Sequence, residues 1–304
     1  MTSPATQVLR TPDESFAELE GFPYEPRWLE VDGVRIHYVD EGPSDAAPVL
    51  LVHGWPAWSY QWRTVIPPLL AAGRRVVAPD LVGFGRSDKP ARREDVAFAD
   101  LVRSLRGFVS TLDLSGATMV CHDWGGLVAL PVVAEQPDRF AAVVAINTLL
   151  PTGDRAPGDR FLAWQWTTQA GSEFSAGEVI AQGCGAELPD EVAGGYDAPF
   201  EGADSLDAAA RELPMLIPTR PDNPESQAHR ETWEVFGSWE RPFVTIWSDA
   251  HPVVGGADRF WREGVPGAAA QPHVVVDEET LYLVEDHPDL VVDAVTAIAS
   301  REAL

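Results

Sequence analysis

Short apolar, β-branched runs recur along the chain at Val34 to Val39, Val49 to Val52, Arg75 to Ala78, Thr118 to Cys121, Ala141 to Ile146, Phe243 to Trp247 and Val274 to Val276. Runs of this length without polar alternation predict strands buried on both faces, as in a parallel sheet. Amphipathic stretches lie between them: Tyr60 to Ala72, Phe98 to Leu112, Leu127 to Gln136 and Pro288 to Ser300. Such alternation predicts an α/β fold with a mostly parallel sheet. The rhythm stops after Asn147. From about Leu149 to Pro224 no strand-like run occurs, while Trp, Pro, Gly and helix-forming pieces such as Asp159 to Ala170 and Glu187 to Gly195 accumulate. A helical insertion over the carboxyl ends of the strands is expected there, where open α/β sheets bind ligands. The expected organisation is a core over residues 1–148, a helical cap over 149–226 and the rest of the core over 227–304.

Charge narrows the possible partners. The 47 Asp and Glu against 22 Lys and Arg leave 25 net negative charges, and Lys89 is the single lysine. A surface of this sign repels phosphate backbones and anionic membranes, so neither nucleic acid nor membrane is an expected partner. At 45% hydrophobic residues the chain can bury a large core. Cys121 and Cys184 lie far apart and neither belongs to a CxxC pair, which predicts no zinc site and no disulfide framework. No metal or cofactor is called for. The stretch MTSPATQVLRTPDESF has no apolar signal region, and the longest aliphatic run is too short to span a bilayer. The expectation is a soluble, cytoplasmic protein.

The sharpest local motif is Val120-Cys121-His122-Asp123-Trp124-Gly125-Gly126, which ends a strand and opens a helix. This is the layout of a nucleophile elbow, a strained turn that lifts one side chain above the sheet and needs small neighbours two residues away, here Cys121 and Gly125. The lifted residue is Asp123. A carboxylate there suits displacement at an sp³ carbon, giving a covalent ester that water must later cleave. An ordinary strand-to-helix junction with Asp123 as N-cap is the alternative. An earlier strand ends in Leu51-Val52-His53-Gly54-Trp55-Pro56. In this architecture the backbone N–H groups of Trp55 and Trp124 would form an oxyanion hole.

HGWPAWSYQWR (His53 to Arg63), APDLVGFGRSDKP (Ala78 to Pro90), HDWGG (His122 to Gly126) and GYDAPF (Gly195 to Phe200) together resemble the haloalkane dehalogenases of the α/β-hydrolase fold, in the branch with a tryptophan halide site. The resemblance runs from about Val8 to the last helix, cap included. It implies that the indole N–H groups of Trp124 and Trp164 would hold a halide ion, a role suited to a donor that carries no acceptor.

The part of the resemblance that concerns ester cleavage does not match. The family's acid follows the strand Phe243 to Trp247 in a loop like x-D-P-[IV], whereas this chain reads Asp249-Ala250-His251-Pro252, placing His251 at the acid position. The family's base lies in a segment like G-H-F-[LI]-Q-E-D, and the matching stretch Thr280-Leu281-Tyr282-Leu283-Val284-Glu285-Asp286 places Leu281 at the base position. Trp55 stands where this branch usually carries Glu, Gln or Asn. Epoxide hydrolases share HDWGG and tolerate an aromatic residue there, but they need cap tyrosines, and this cap has only Tyr196.

The resemblance therefore implies a dehalogenase scaffold with a degenerate triad: Asp123 as nucleophile or base, Trp55 and Trp124 beside it, His251 as the remaining imidazole, and Trp164, Leu281 and Tyr282 lining an apolar pocket for a halogenated, apolar or aromatic molecule. Two further readings stay open. Asp123 could act as a general base on an aromatic substrate, or the pocket could bind a small molecule without chemistry.

Overall fold

A computed structural model describes residues 7–17, 19–170, 173–202 and 205–302; the first six residues of the stretch read for a signal region lie outside them. Eight strands form one sheet: β1 (Arg27–Val31), β2 (Val34–Glu41), β3 (Pro48–Val52), β4 (Arg75–Pro79), β5 (Ala117–His122), β6 (Phe140–Ile146), β7 (Phe243–Ser248) and β8 (Val274–Val276). Their order across the sheet is β8-β7-β6-β5-β3-β4-β2-β1. Strand β2 pairs antiparallel with β1 and β4, and every other pairing is parallel. The runs predicted as buried strands fill the middle of this sheet, and β3 is buried at all five positions.

Two strands depart from the pattern. Strand β1 was not anticipated, because only Val31 of its five residues is buried and its apolar content is low. It forms a two-residue hairpin with β2 across Asp32 and Gly33, both at positive φ (51° and 82°), the backbone that Asp-Gly supplies most readily. Strand β8 is apolar as expected, but it lies at the sheet edge and is only partly buried.

Helices cover the sheet. In α1 (Ile66–Ala71), Ile66 and Leu69 face the core. Helix α2 (Phe98–Thr111) buries Phe98, Leu101, Val102, Leu105, Phe108 and Val109, the stripe that a 3.6-residue period creates. Helix α3 (Trp124–Glu135) is apolar almost all round, because it is enclosed by the sheet, α2 and a later helix. Between β6 and β7 lie α4 (Asp159–Thr167), α5 (Ala176–Gly183), α6 (Asp190–Asp197), α7 (Ala208–Leu216) and α8 (Pro224–Phe236). No strand occurs among the described residues of this stretch. The boundary expected at residue 226 falls inside α8, which packs on α3. Helices α9 (Asp258–Gly264), α10 (Leu283–Asp286) and α11 (Pro288–Glu302) complete the chain. No helix among the described residues is long and apolar enough to cross a membrane.

The strand order places the site. From β3 the chain moves to one side, to β4, and later returns to the other side, to β5. The carboxyl ends of β3 and β5 therefore flank a topological switch point, where open α/β sheets leave a crevice. Trp55 follows β3 and Asp123 follows β5.

Candidate active site

Asp123 has φ 47° and ψ −122°, a strained backbone for a residue with a Cβ. The turn is possible because its neighbours are small. A Cβ on Gly125 would run into the carbonyl oxygens of Val52 and His53, and one on Gly54 would press on His122 and Asp123. The turn is braced at its backbone: Asp123 N–H donates to Ile146 O at 3.1 Å, and Asp123 O accepts from Thr148 Oγ1 at 2.7 Å and Gly126 N–H at 2.9 Å. Thr148 has no counterpart among the sequence-level candidates.

The Asp123 carboxylate faces the two amides expected of an oxyanion hole. Trp55 N–H donates to Oδ2 at 3.1 Å, and the backbone N–H of Trp124 also donates to the carboxylate. Burial pushes the Asp123 carboxyl up to about 6 from 3.8, against the pull of the Trp124 and Trp55 amides. Protein surrounds the carboxylate, while the residue as a whole is only partly buried. No cation contributes to its electrostatics among the described residues.

Aromatic side chains cluster beside the turn. Trp55, Trp124 and Tyr282 are buried, and Trp164 and Leu281 are partly buried. The Trp124 indole N–H is buried without a partner, an arrangement that costs free energy unless something accepts from it. Trp164, on α4, meets Trp55 edge to face at 5.5 Å. The Trp55 indole N–H is already spent on Ala210 O, at 2.6 Å. Tyr282 donates its hydroxyl to Trp55 O at 3.0 Å, and burial together with the Asp123 charge holds its phenol well above the usual range. Phe174, also absent from the sequence-level set, packs on Trp55 at 6.4 Å.

No imidazole hydrogen-bonds the Asp123 carboxylate among the described residues. His251 turns its Nδ1 onto its own loop, accepting from the N–H groups of Val253 and Val254 at 3.3 and 3.4 Å, and burial lowers its pKa. Asp249, two residues earlier, is exposed. His53 donates from Nδ1 to Gly54 O and accepts Leu81 N–H at Nε2, joining the loops after β3 and β4. His37 pairs with Asp80, His229 with Pro151 O, His273 with Thr245 and Ala268, and His287 with Glu278.

His122 has a different task. Gly54 N–H donates to Gln61 Oε1 at 3.1 Å, Gln61 Nε2 to His122 Nδ1 at 3.1 Å, and His122 Nε2 to Leu281 O at 2.9 Å. Only a neutral ring with its proton on Nε2 satisfies this chain, and burial agrees by lowering the His122 pKa to about 4. Asn147, at φ 41°, donates to the same Leu281 carbonyl at 2.9 Å and to Thr280 O at 3.2 Å. Leu281 N–H donates to Gly183 O in the cap at 2.8 Å. The backbone of residue 281 is thus held from three sides, while its side chain is a hydrocarbon. Gln61 and Asn147 were not among the sequence-level candidates, since a buried amide near a strand end carries no motif.

Tyr196, the cap tyrosine, donates to Glu285, which is also gripped by Arg63 at 2.6 and 2.7 Å. Its hydroxyl is occupied and is not free to protonate a substrate. Among the described residues no group of three or more His, Cys, Asp or Glu side chains could hold a metal ion.

The switch-point elbow and the amides facing it define an α/β-hydrolase-fold protein, and residues 47–182 match the family model for the alpha/beta hydrolase fold. The chain is 44% identical to a haloalkane dehalogenase of Psychrobacter cryohalolentis, over 94% of this chain and 95% of the relative. It is 41% identical to one of Mycolicibacterium paratuberculosis, over 93% and 95%. Among solved structures, the tetrameric haloalkane dehalogenase of Paraglaciecola agarilytica superposes with a TM-score of 0.86 at 30% identity, covering 95% of this chain and 96% of that one. The chain belongs to the haloalkane dehalogenase family.

Proposed function

We propose that the protein displaces halide from a small haloalkane by attack of Asp123 and that the ester so formed is hydrolysed poorly. The family supports the reaction class. The observation that carries the second half is the inventory around the carboxylate: two backbone N–H groups and, among the described residues, no imidazole. In the first step a carboxylate oxygen attacks the carbon bearing the halogen. The C–O bond forms as the carbon–halogen bond breaks, and the halide leaves with the bonding pair. The unpartnered Trp124 indole N–H, with Trp164, would donate to the departing anion.

Ester cleavage asks for more. Water must lose a proton as it attacks the ester carbonyl, and a general base typically contributes about 10²- to 10⁴-fold. The Trp55 and Trp124 amides can stabilise the tetrahedral oxyanion, but Leu281 cannot accept a proton. His251 is occupied with its own loop, and His122 is locked as a neutral donor. The alkylated protein is therefore the expected end state.

Incubation with 1-bromobutane, followed by intact mass and free bromide, tests this. One bromide per chain with a butyl adduct on Asp123 is expected. Many bromides per chain would refute the impaired second step. Neither bromide nor adduct would refute Asp123 as nucleophile and leave general-base chemistry or simple binding.

A further inference from the structure

We infer that the Trp55 indole is the size filter of the Asp123 site and confines it to short, unbranched haloalkanes, an inference that builds on Asp123 as the nucleophile. Trp55 is adjacent to the reacting group, since its own N–H holds Asp123 Oδ2. The residue is 2% exposed, and its side chain is anchored on several sides. The indole N–H donates to Ala210 O of α7, and the ring meets Trp164 of α4 and Phe174. Phe174 is itself backed edge to face by Phe200 at 5.2 Å. The Trp55 carbonyl accepts from Tyr282.

An indole fixed in this way is a wall and not a gate. To swing aside it would have to give up a buried hydrogen bond and two aromatic contacts. Its single polar atom is committed to the cap, so what remains for a substrate is hydrocarbon surface. In-line displacement sets the carboxylate oxygen, the carbon and the halogen on one axis, and the other substituents of the carbon spread sideways. A rigid wall beside that axis therefore selects against branching and bulk. Close-packed interiors do not yield to an extra methylene, and each group that cannot be seated costs about 10- to 200-fold in rate.

The test compares the native chain with Trp55→Ala and Trp55→Phe, the latter retaining a packed ring if the former fails to fold. Single-turnover adduct formation is followed for 1-bromopropane and (bromomethyl)cyclohexane. The rate ratio of bulky to short substrate should rise at least about tenfold on truncation, and an unchanged ratio would overturn the inference. Binding of 1-propanol and cyclohexylmethanol, which cannot alkylate Asp123, is measured in parallel by saturation-transfer NMR. If the native chain forms no adduct while truncation still shifts the binding ratio toward the bulky alcohol, the nucleophile reading fails and the filter stands. If neither ratio moves in a folded variant, the filter fails whatever Asp123 does.

Discussion

Replacing Asp123 by asparagine should stabilise the protein, and by an amount that depends on pH in a defined direction. The carboxyl is raised from 3.8 to about 6 by burial, so the folded chain binds this proton more tightly than the unfolded chain does. Above pH 6 the group is ionised in both states, and the folded state bears the cost of keeping the charge in a dry site. Well below pH 3.8 it is protonated in both, and the cost is gone. With 1.36 kcal/mol per unit, the shift from 3.8 to about 6 corresponds to about 3 kcal/mol at pH 7.5. The asparagine side chain keeps the shape and one acceptor oxygen, which can receive the Trp55 amide, but carries no charge. Urea unfolding of both proteins at several pH values between 4 and 8 measures the difference. D123N should gain about 3 kcal/mol at pH 7.5, with the gain declining through the window between the two pKa values to about 0.5 kcal/mol at pH 4. A variant no more stable than the parent at pH 7.5, or a gain that does not change with pH, would refute the account of Asp123 as a desolvated carboxylate.

Alkylation should follow the same ionisation. Adduct formation with 1-bromobutane should be near its plateau at pH 8 and about tenfold slower at pH 5, because the carboxyl titrates at about 6; a rate flat down to pH 5 would point to an ordinary aspartate. Leu281→His combined with His251→Asp should convert single alkylation into turnover, read as more than one bromide released per chain. A folded but inert double variant would place the remaining obstacle at Trp55. Gly125→Ala should destabilise the fold by about 1–3 kcal/mol in urea unfolding, because the new Cβ meets the carbonyls of Val52 and His53. A neutral result would mean that the elbow is less tightly packed than described.

The parts of the fold that could be read in advance are those whose information is local. Buried strands announce themselves as apolar runs, and α2 as a stripe, so β2 to β7 and α2 emerge close to their observed limits. Strand β1 has few apolar residues because most of it faces outward, and only its Asp-Gly turn offered a signal. The cap helices α5 and α7 span only eight and nine residues, and their buried faces are built largely from Ala and Gly, so each stripe is too short and too weakly apolar in residue type to stand out. The same division applies to the site. Asp123, Trp55 and Trp124 sit in contiguous motifs and could be named, whereas the link between His122 and Leu281 joins residues 159 positions apart and exists only once the sheet has formed. The direction of the His251 ring depends on the conformation of one loop, for which no pattern of residue types is diagnostic.

The hydrogen bonds on residue 281 come entirely from its backbone, through Leu281 O and Leu281 N–H. The attachment of this loop is therefore indifferent to which side chain the codon specifies. Some leucine codons lie a single nucleotide from histidine, so an imidazole can enter at this position without rebuilding the backbone attachment that presents it. What such a change alters is the packing of a partly buried hydrocarbon against the core, while the backbone hydrogen bonds that hold the loop stay in place.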